Sequence, residues 1–223
     1  MSFVINAMPP QLPAGVVAKL SRVETATVGH TRHWGFMDRG IQGVLPAKRA
    51  AGTAVTVQIP GQDSAMLHHA LGLLRPGDVL VVDRMGDDRH ACVGGGVALA
   101  AKLAGAAAAV VDGPCTDFSE IRMHDFPVWC RGPSPITTRV YAIGGSLNTS
   151  IGCGGVTVNP GDAVVLDESG VLVLPPDEAE AVADAALARQ EREKDLWAKL
   201  RAGAKIGDLS GATAKIMAAM GKS

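Results

Sequence analysis

Aromatic residues are scarce in this chain, at 4% of 223 positions, and neither sign of charge is in excess, the formal net charge being −1. A protein that holds nucleic acid needs cations for the phosphates and, on single strands, aromatic faces for the bases. Both shortages therefore argue against a nucleic-acid partner. No apolar run approaches membrane-spanning length without a charge, a glycine or a proline, so no membrane partner is expected. The opening residues, Met1 to Pro10, lack a basic region followed by an apolar one, and a cytosolic protein is the expectation. Cysteine is also sparse. Cys92, Cys115, Cys130 and Cys153 form no C-x-x-C pair, which speaks against zinc, and free thiols in a reducing compartment are the simplest reading. Cys115 as a nucleophile would need a base that the neighbouring sequence does not supply.

What the chain does have is apolar mass. At 47% hydrophobic it can bury a substantial core. One domain spanning 1–223 is expected, with a core over about 25–175 and C-terminal helices over 176–223. From Pro13 to Val28, apolar residues at Val16, Val17, Leu20 and Val23 predict an amphipathic helix. Ala54 to Pro60 alternates and is β-branched, and Asp78 to Asp83 is a short apolar run after the Pro76-Gly77 turn. Both predict strands. Between them, Met66, Leu67, Ala70, Leu71 and Leu74 carry helical spacing, with Asp63 or Ser64 as cap. The alternation of strand and helix continues to Val111 and favours an α/β layered fold. Beyond Trp129, short strands follow at Gly155 to Val158, Ala163 to Leu166 and Gly170 to Leu174, with tight turns between them. An alanine-rich, charged stretch from Pro176 to about Arg201 then predicts a long helix, and the tail from Ser210 to Ser223 is weakly amphipathic.

The most informative stretch runs from Gly94-Gly95-Gly96-Val97, opening a helix of small residues, through the strand at Ala108 to Asp112, into a loop carrying Asp117 and Glu120. Amides at a glycine-rich helix start can hold an anion, and two carboxylates three residues apart can share one side of a turn and face a metal. The plainer reading is a βα unit whose glycines allow close packing and whose acids begin a helix. Composition alone does not choose between them.

The order of motifs does add something. Met37-Asp38 with Gly40-Ile41, Pro76-Gly77-Asp78, Asp112-Gly113, Asp117 with Glu120, Phe126-Pro127-Val128, Arg131-Gly132, Cys153-Gly154-Gly155-Val156 and Pro160-Gly161-Asp162 follow one another in a pattern that resembles the RraA-like family. That family includes divalent-metal pyruvate aldolases acting on 4-hydroxy-4-methyl-2-oxoglutarate and 4-carboxy-4-hydroxy-2-oxoadipate, and regulators of ribonuclease E. The resemblance implies a layered αββα sandwich of swivelling-domain-like type with a C-terminal helical extension. It also implies homotrimers or homohexamers, with active sites between subunits. In the aldolases an Arg-Asp pair with a following acid carries the chemistry. The resemblance places Asp117 and Glu120 at a Mg²⁺ or Mn²⁺ ion, with Gly94, Gly95, Gly96 and Val97 binding the carboxylate of a small 2-oxo acid.

This chain departs from the pattern in two places. Thr116 stands where the aldolases have arginine, and Gly95 where their glycine loop has an acid. A threonine hydroxyl offers one neutral hydrogen bond in place of a charged fork, so the substrate grip must differ. Arg32, within His30-Thr31-Arg32-His33, is a candidate substitute cation, against the plain alternative of a polar surface turn. By the resemblance, Glu191 or Glu193 reaches the metal of an adjoining subunit; a solvated helix face is the alternative for either. The expectation is a metal-dependent lyase for a small 2-oxo acid, with Asp117, Thr116 and Arg32 as its catalytic candidates. A related tautomerase or hydrolase, or a non-catalytic regulator of ribonuclease activity, is the alternative.

Overall fold

The computed structural model describes residues 2–221. In chain order the elements are β1 (Phe3–Ile5), α1 (Ala14–Leu20), α2 (Thr25–Gly29), β2 (Gln42–Gly43), β3 (Ala50–Gln58), α3 (Ala65–Leu71), β4 (Asp78–Asp83) and α4 (Gly95–Leu103). Then follow β5 (Ala108–Asp112), α5 (Phe118–Met123), β6 (Val128–Cys130), β7 (Gly145–Leu147), β8 (Ile151–Cys153), β9 (Val156–Val158), β10 (Ala163–Asp167) and β11 (Gly170–Leu174). The helices α6 (Ala179–Arg201), α7 (Ile206–Leu209) and α8 (Ala212–Ala219) close the chain. Among the described residues, no helix is long and apolar enough to cross a membrane.

Strands β3, β4, β5 and β6 pair in parallel, each joined to the next by one helix, α3, α4 or α5. The two-residue period of these strands sorts their side chains to opposite faces. Val55, Val57, Leu80, Val82, Ala109 and Val111 face α3, α4 and α5 through Met66, Leu67, Ala98 and Ile121. Ala54, Val79, Val81, Ala108 and Val110 face the opposite way, onto residues of β8 to β11 such as Ile151, Val158, Val164 and Val171. Behind that second β layer, Val165, Leu172 and Leu174 meet Leu20, Val28, Ala179 and Ala183 of α1, α2 and α6. The result is helix, sheet, strand pair and helix in succession, the αββα arrangement expected above.

Two local expectations are corrected. The helix predicted from Pro13 to Val28 is broken into α1 and α2 by Ser21 to Glu24, because Asp167 draws the second half inward. The Asp167 carboxylate accepts from the Thr25 amide and hydroxyl, both at 2.7 Å. The strand predicted from Ala54 begins four residues sooner, at Ala50, where small residues let β10 pair with it. Gly52 lies there against the Gly77 carbonyl and 3.0 Å, measured from where a Cβ would sit, from Val79. Gly52→Ala is therefore expected to lower stability by about 1–3 kcal/mol through overpacking, read as an earlier urea midpoint with an unchanged slope.

Candidate active site

The strand β5 ends at Asp112, and the loop after it runs alongside the segment that leads into α4. The Thr116 amide donates to the Val93 carbonyl at 2.9 Å, while Cys115 is held from its other side by Gly132 and Ser134. This pairing delivers Asp117 to the first turn of α4. Asp117 sits in the left-handed backbone region, φ 51°, at the start of α5, where its carbonyl accepts from Glu120 and Ile121. Aspartate is among the few residues with a side chain that visit this region readily, and its use here aims the carboxylate backward.

That carboxylate meets two neighbours. Its Oδ2 accepts from the Gly95 amide at 3.3 Å, and its Oδ1 from the Thr116 hydroxyl at 3.2 Å. Both glycines at the helix start are required by the acids above them. A Cβ at Gly94 would collide with the Asp117 carboxylate, and one at Gly95 with the Glu120 carboxylate. The absence of an acid at Gly95 is thus also the space into which Glu120 folds. Gly94 to Val97, Thr116, Asp117 and Glu120 lie together at the start of α4, where the amides of the first turn have no intrahelical acceptor.

A cavity of about 390 Å³ opens beside this cluster, and it contains residues that the sequence did not assign to the site. His68 of α3 lines it, and so does Arg139 from the long connection before β7. Arg139 Nη1 donates to the Thr137 carbonyl at 3.1 Å, the Thr137 hydroxyl at 2.7 Å and the Thr138 carbonyl at 3.0 Å. Among the described residues no carboxylate forms an ion pair with it. The one available signal was indirect: a chain with Thr116 in place of an arginine needs its cation from elsewhere.

Asp63 holds that connection in place. Fully buried, it accepts from the amides of Ala65 at 3.0 Å, Tyr141 at 2.9 Å and Ile143 at 2.8 Å. Burial opposes ionisation of this carboxyl, but the backbone donors outweigh it and hold its pKa below the usual carboxylate value. A depressed folded-state pKa contributes stability that is present above the unfolded value and lost as pH falls through the folded one. Asp63→Asn is expected to cost about 1–3 kcal/mol near neutrality, because one amide loses its acceptor. The variant's urea midpoint should also fall less than the wild type's on acidification below about pH 4.

Other candidates lie elsewhere. Arg32 is not at the Asp117 cavity: Nη1 pairs with Glu178 at 2.5 Å and the guanidinium stacks 4.7 Å from the centre of the Trp34 ring. It packs between α2 and α6, because the neighbouring Asp167 anchor turns that segment toward α6. Glu191 pairs with Lys194 at 2.5 Å and Glu193 with Arg189 at 3.4 Å, so within one chain neither joins Asp117. Arg131 is committed to Asp38 at 2.8 Å and Asp112 at 2.5 Å. The cysteines are buried, and burial pushes the Cys92 thiol up to about 11 and the Cys115 thiol above its ordinary value, which removes both as ready nucleophiles.

Among the described residues, no three His, Cys, Asp or Glu side chains converge as a closed metal cage. What Asp117 and Glu120 offer is an open pair of hard oxygen donors. That donor set fits Mg²⁺ or Mn²⁺, which are commonly held by one or two carboxylates with water and substrate completing the shell.

Comparison with known proteins agrees with this architecture. Residues 23–173 match the family model described as RraA-like, Aldolase/RraA. A protein of Halalkalibacterium halodurans, provisionally named a 4-hydroxy-4-methyl-2-oxoglutarate aldolase, is 37% identical over 142 residues, which cover 64% of this chain and 67% of that protein. Streptomyces coelicolor RraAS2, described as an unusual member of the RNase ES inhibitor RraA protein family, superposes with a TM-score of 0.73 at 29% identity, over 83% of this chain and 98% of that one. An uncharacterised protein from Pseudomonas syringae shares the fold, with a TM-score of 0.76 at 24% identity over 93% and 97% of the two chains.

Proposed function

Because the chain belongs to the RraA-like family, we propose that it is a metal-dependent lyase that breaks a carbon–carbon bond beside the carbonyl of a small 2-oxo acid. The observation that carries this reading is the convergence of Asp117 and Glu120 on the glycine-opened start of α4, beside a cavity that also contains Arg139. Asp117 and Glu120 would hold the divalent cation. When bound, that cation supplies positive charge for the 2-oxo oxygen as the adjacent bond breaks. The amides of Gly96 and Val97, at the dipole-positive end of α4, receive the substrate carboxylate. Arg139 supplies from the cavity wall the charged grip that Thr116 does not, and holds the distal anionic group of the substrate. The Thr116 hydroxyl orients Asp117. His68, exposed on α3, lines the same cavity.

A homotrimer or homohexamer suits this reading. The helices α7 and α8 bury none of their own residues and expose Ile206, Leu209, Ile216, Met217 and Met220, an apolar set suited to a second copy. Such an assembly would give Glu191 or Glu193 of one copy a route to Asp117 of another.

The test is release of pyruvate or CO₂ from 4-hydroxy-4-methyl-2-oxoglutarate and from oxaloacetate, with Mg²⁺, with Mn²⁺ and with chelator. Turnover that chelator abolishes and either ion restores supports the lyase. Silence on both substrates, together with binding to a ribonuclease, would favour the regulator, a reading that the RraAS2 likeness and the missing arginine recommend.

A further inference from the structure

A second cavity, of about 310 Å³, lies between α2 and α6 and shares no residue with the one at Asp117. Its floor is apolar, from Val28, Val182, Ala185 and Ala186. Its charged groups are all cationic, Arg32, Arg189 and Arg192, and the hydroxyl residues Thr27 and Thr31 line it beside them. Residues 182, 185, 186, 189 and 192 recur at spacings of three and four, so α6 presents them as one stripe.

Three acids of α6 are turned away from that stripe, while Glu193 contacts it through Arg189. Glu180 and Asp184 both pair with Lys19 of α1 at 2.8 Å, and Glu191 pairs with Lys194. Of the three arginines, Arg32 is nine-tenths buried and held by Glu178 at 2.5 Å, while Arg189 has only the longer 3.4 Å contact with Glu193. That contact is made by the buried Nε of Arg189, which forms no hydrogen bond. Arg192 has no ion-pair partner among the described residues. Glu193 answers Arg189 at four-residue spacing, but among the described residues nothing answers Arg192 beside the apolar hollow. Ala185 and Ala186 make the hollow, since larger side chains would fill it.

We propose that this cavity is a binding site for a small organic anion, with a carboxylate or phosphate head against Arg189 and Arg192 and a short apolar body over Val28, Val182 and the two alanines. A planar body gains further from Trp34, whose indole already stacks on Arg32. The volume is that of roughly ten water molecules, which limits the occupant to a compact molecule.

Calorimetric titration of the full chain with phenylacetate, phenyl phosphate and benzyl alcohol tests the site. Saturable binding of at least one anion and none of the neutral alcohol is expected, and the preferred anion identifies the head group. Arg192→Gln should weaken binding at least ten-fold with an unchanged thermal midpoint, and Ala185→Leu should abolish it by filling the hollow. Asp117→Asn should leave it unaltered, which separates this site from the one above. Absence of binding by both anions, equal binding of the alcohol, or affinity that survives Arg192→Gln or Ala185→Leu would overturn the proposal, as would loss of binding in Asp117→Asn.

Discussion

Asp117→Asn is expected to lower metal-dependent turnover at least about a hundred-fold while the chain stays folded. Asparagine is chosen because it tolerates the left-handed backbone, φ 51°, that Asp117 occupies at the start of α5. Its amide oxygen can still accept from the Gly95 amide, and its nitrogen can donate to the Thr116 hydroxyl, so the loop keeps its partners. What it loses is the negative charge. The variant should therefore also lose the rise in thermal midpoint that Mg²⁺ or Mn²⁺ gives the wild type, a readout that needs no substrate. Alanine at this position would confound the result, because it adds backbone strain and removes both hydrogen bonds at once. A wild-type midpoint indifferent to either ion, or an Asn variant that responds as the wild type does, would defeat the assignment of Asp117 to a metal.

The layers of the fold were legible because the pattern that encodes them is local. Val79, Leu80, Val81 and Val82 are buried on both faces, as an unbroken apolar run between turn signals implies, and Met66, Leu67 and Ala70 bury the stripe that their spacing marks. Less legible were features that depend on distant residues. The start of β3 at Ala50 needs β10 beside it and Gly77 across from Gly52, contacts that no window around residue 50 contains. The break between α1 and α2 depends on Asp167, 142 positions from Thr25. The site divides in the same way. Gly94 to Val97, Asp117 and Glu120 belong to consecutive elements of one βα unit, so their convergence could be read along the chain. Arg139 and His68 come from a long connection and a separate helix. They come to line one cavity because Gln62 and Ser64 bind the main chain of Arg139 and Asp63, buried at the head of α3, binds the amides of Tyr141 and Ile143. Arg32 was misplaced for the converse reason: its charge and its closeness in sequence to a family motif said nothing about Glu178, which claims it.

Arg139→Ala should lower kcat/KM for a dianionic 2-oxo acid by about ten- to a hundred-fold, the scale of losing a charge-assisted hydrogen bond to the distal anionic group. Little of that loss should come from unfolding. The main chain of residue 139 is fixed independently of its side chain, its amide donating to the Gln62 carbonyl at 2.8 Å and its carbonyl accepting from the Ser64 amide at 2.8 Å. The guanidinium contributes contacts only to its immediate neighbours Thr137 and Thr138. Arg139→Lys keeps the charge but not the fork, so it should recover part of the rate. The decisive comparison is the double variant Arg139→Ala with Thr116→Arg. If the chain has moved its cation from one wall of the cavity to another, an arginine at 116 should restore activity lost at 139 while adding little to the wild type, an interaction visible in a double-mutant cycle. Strict additivity of the two changes would mean that Arg139 and position 116 serve different groups of the substrate, and the relocated grip would then have to be abandoned.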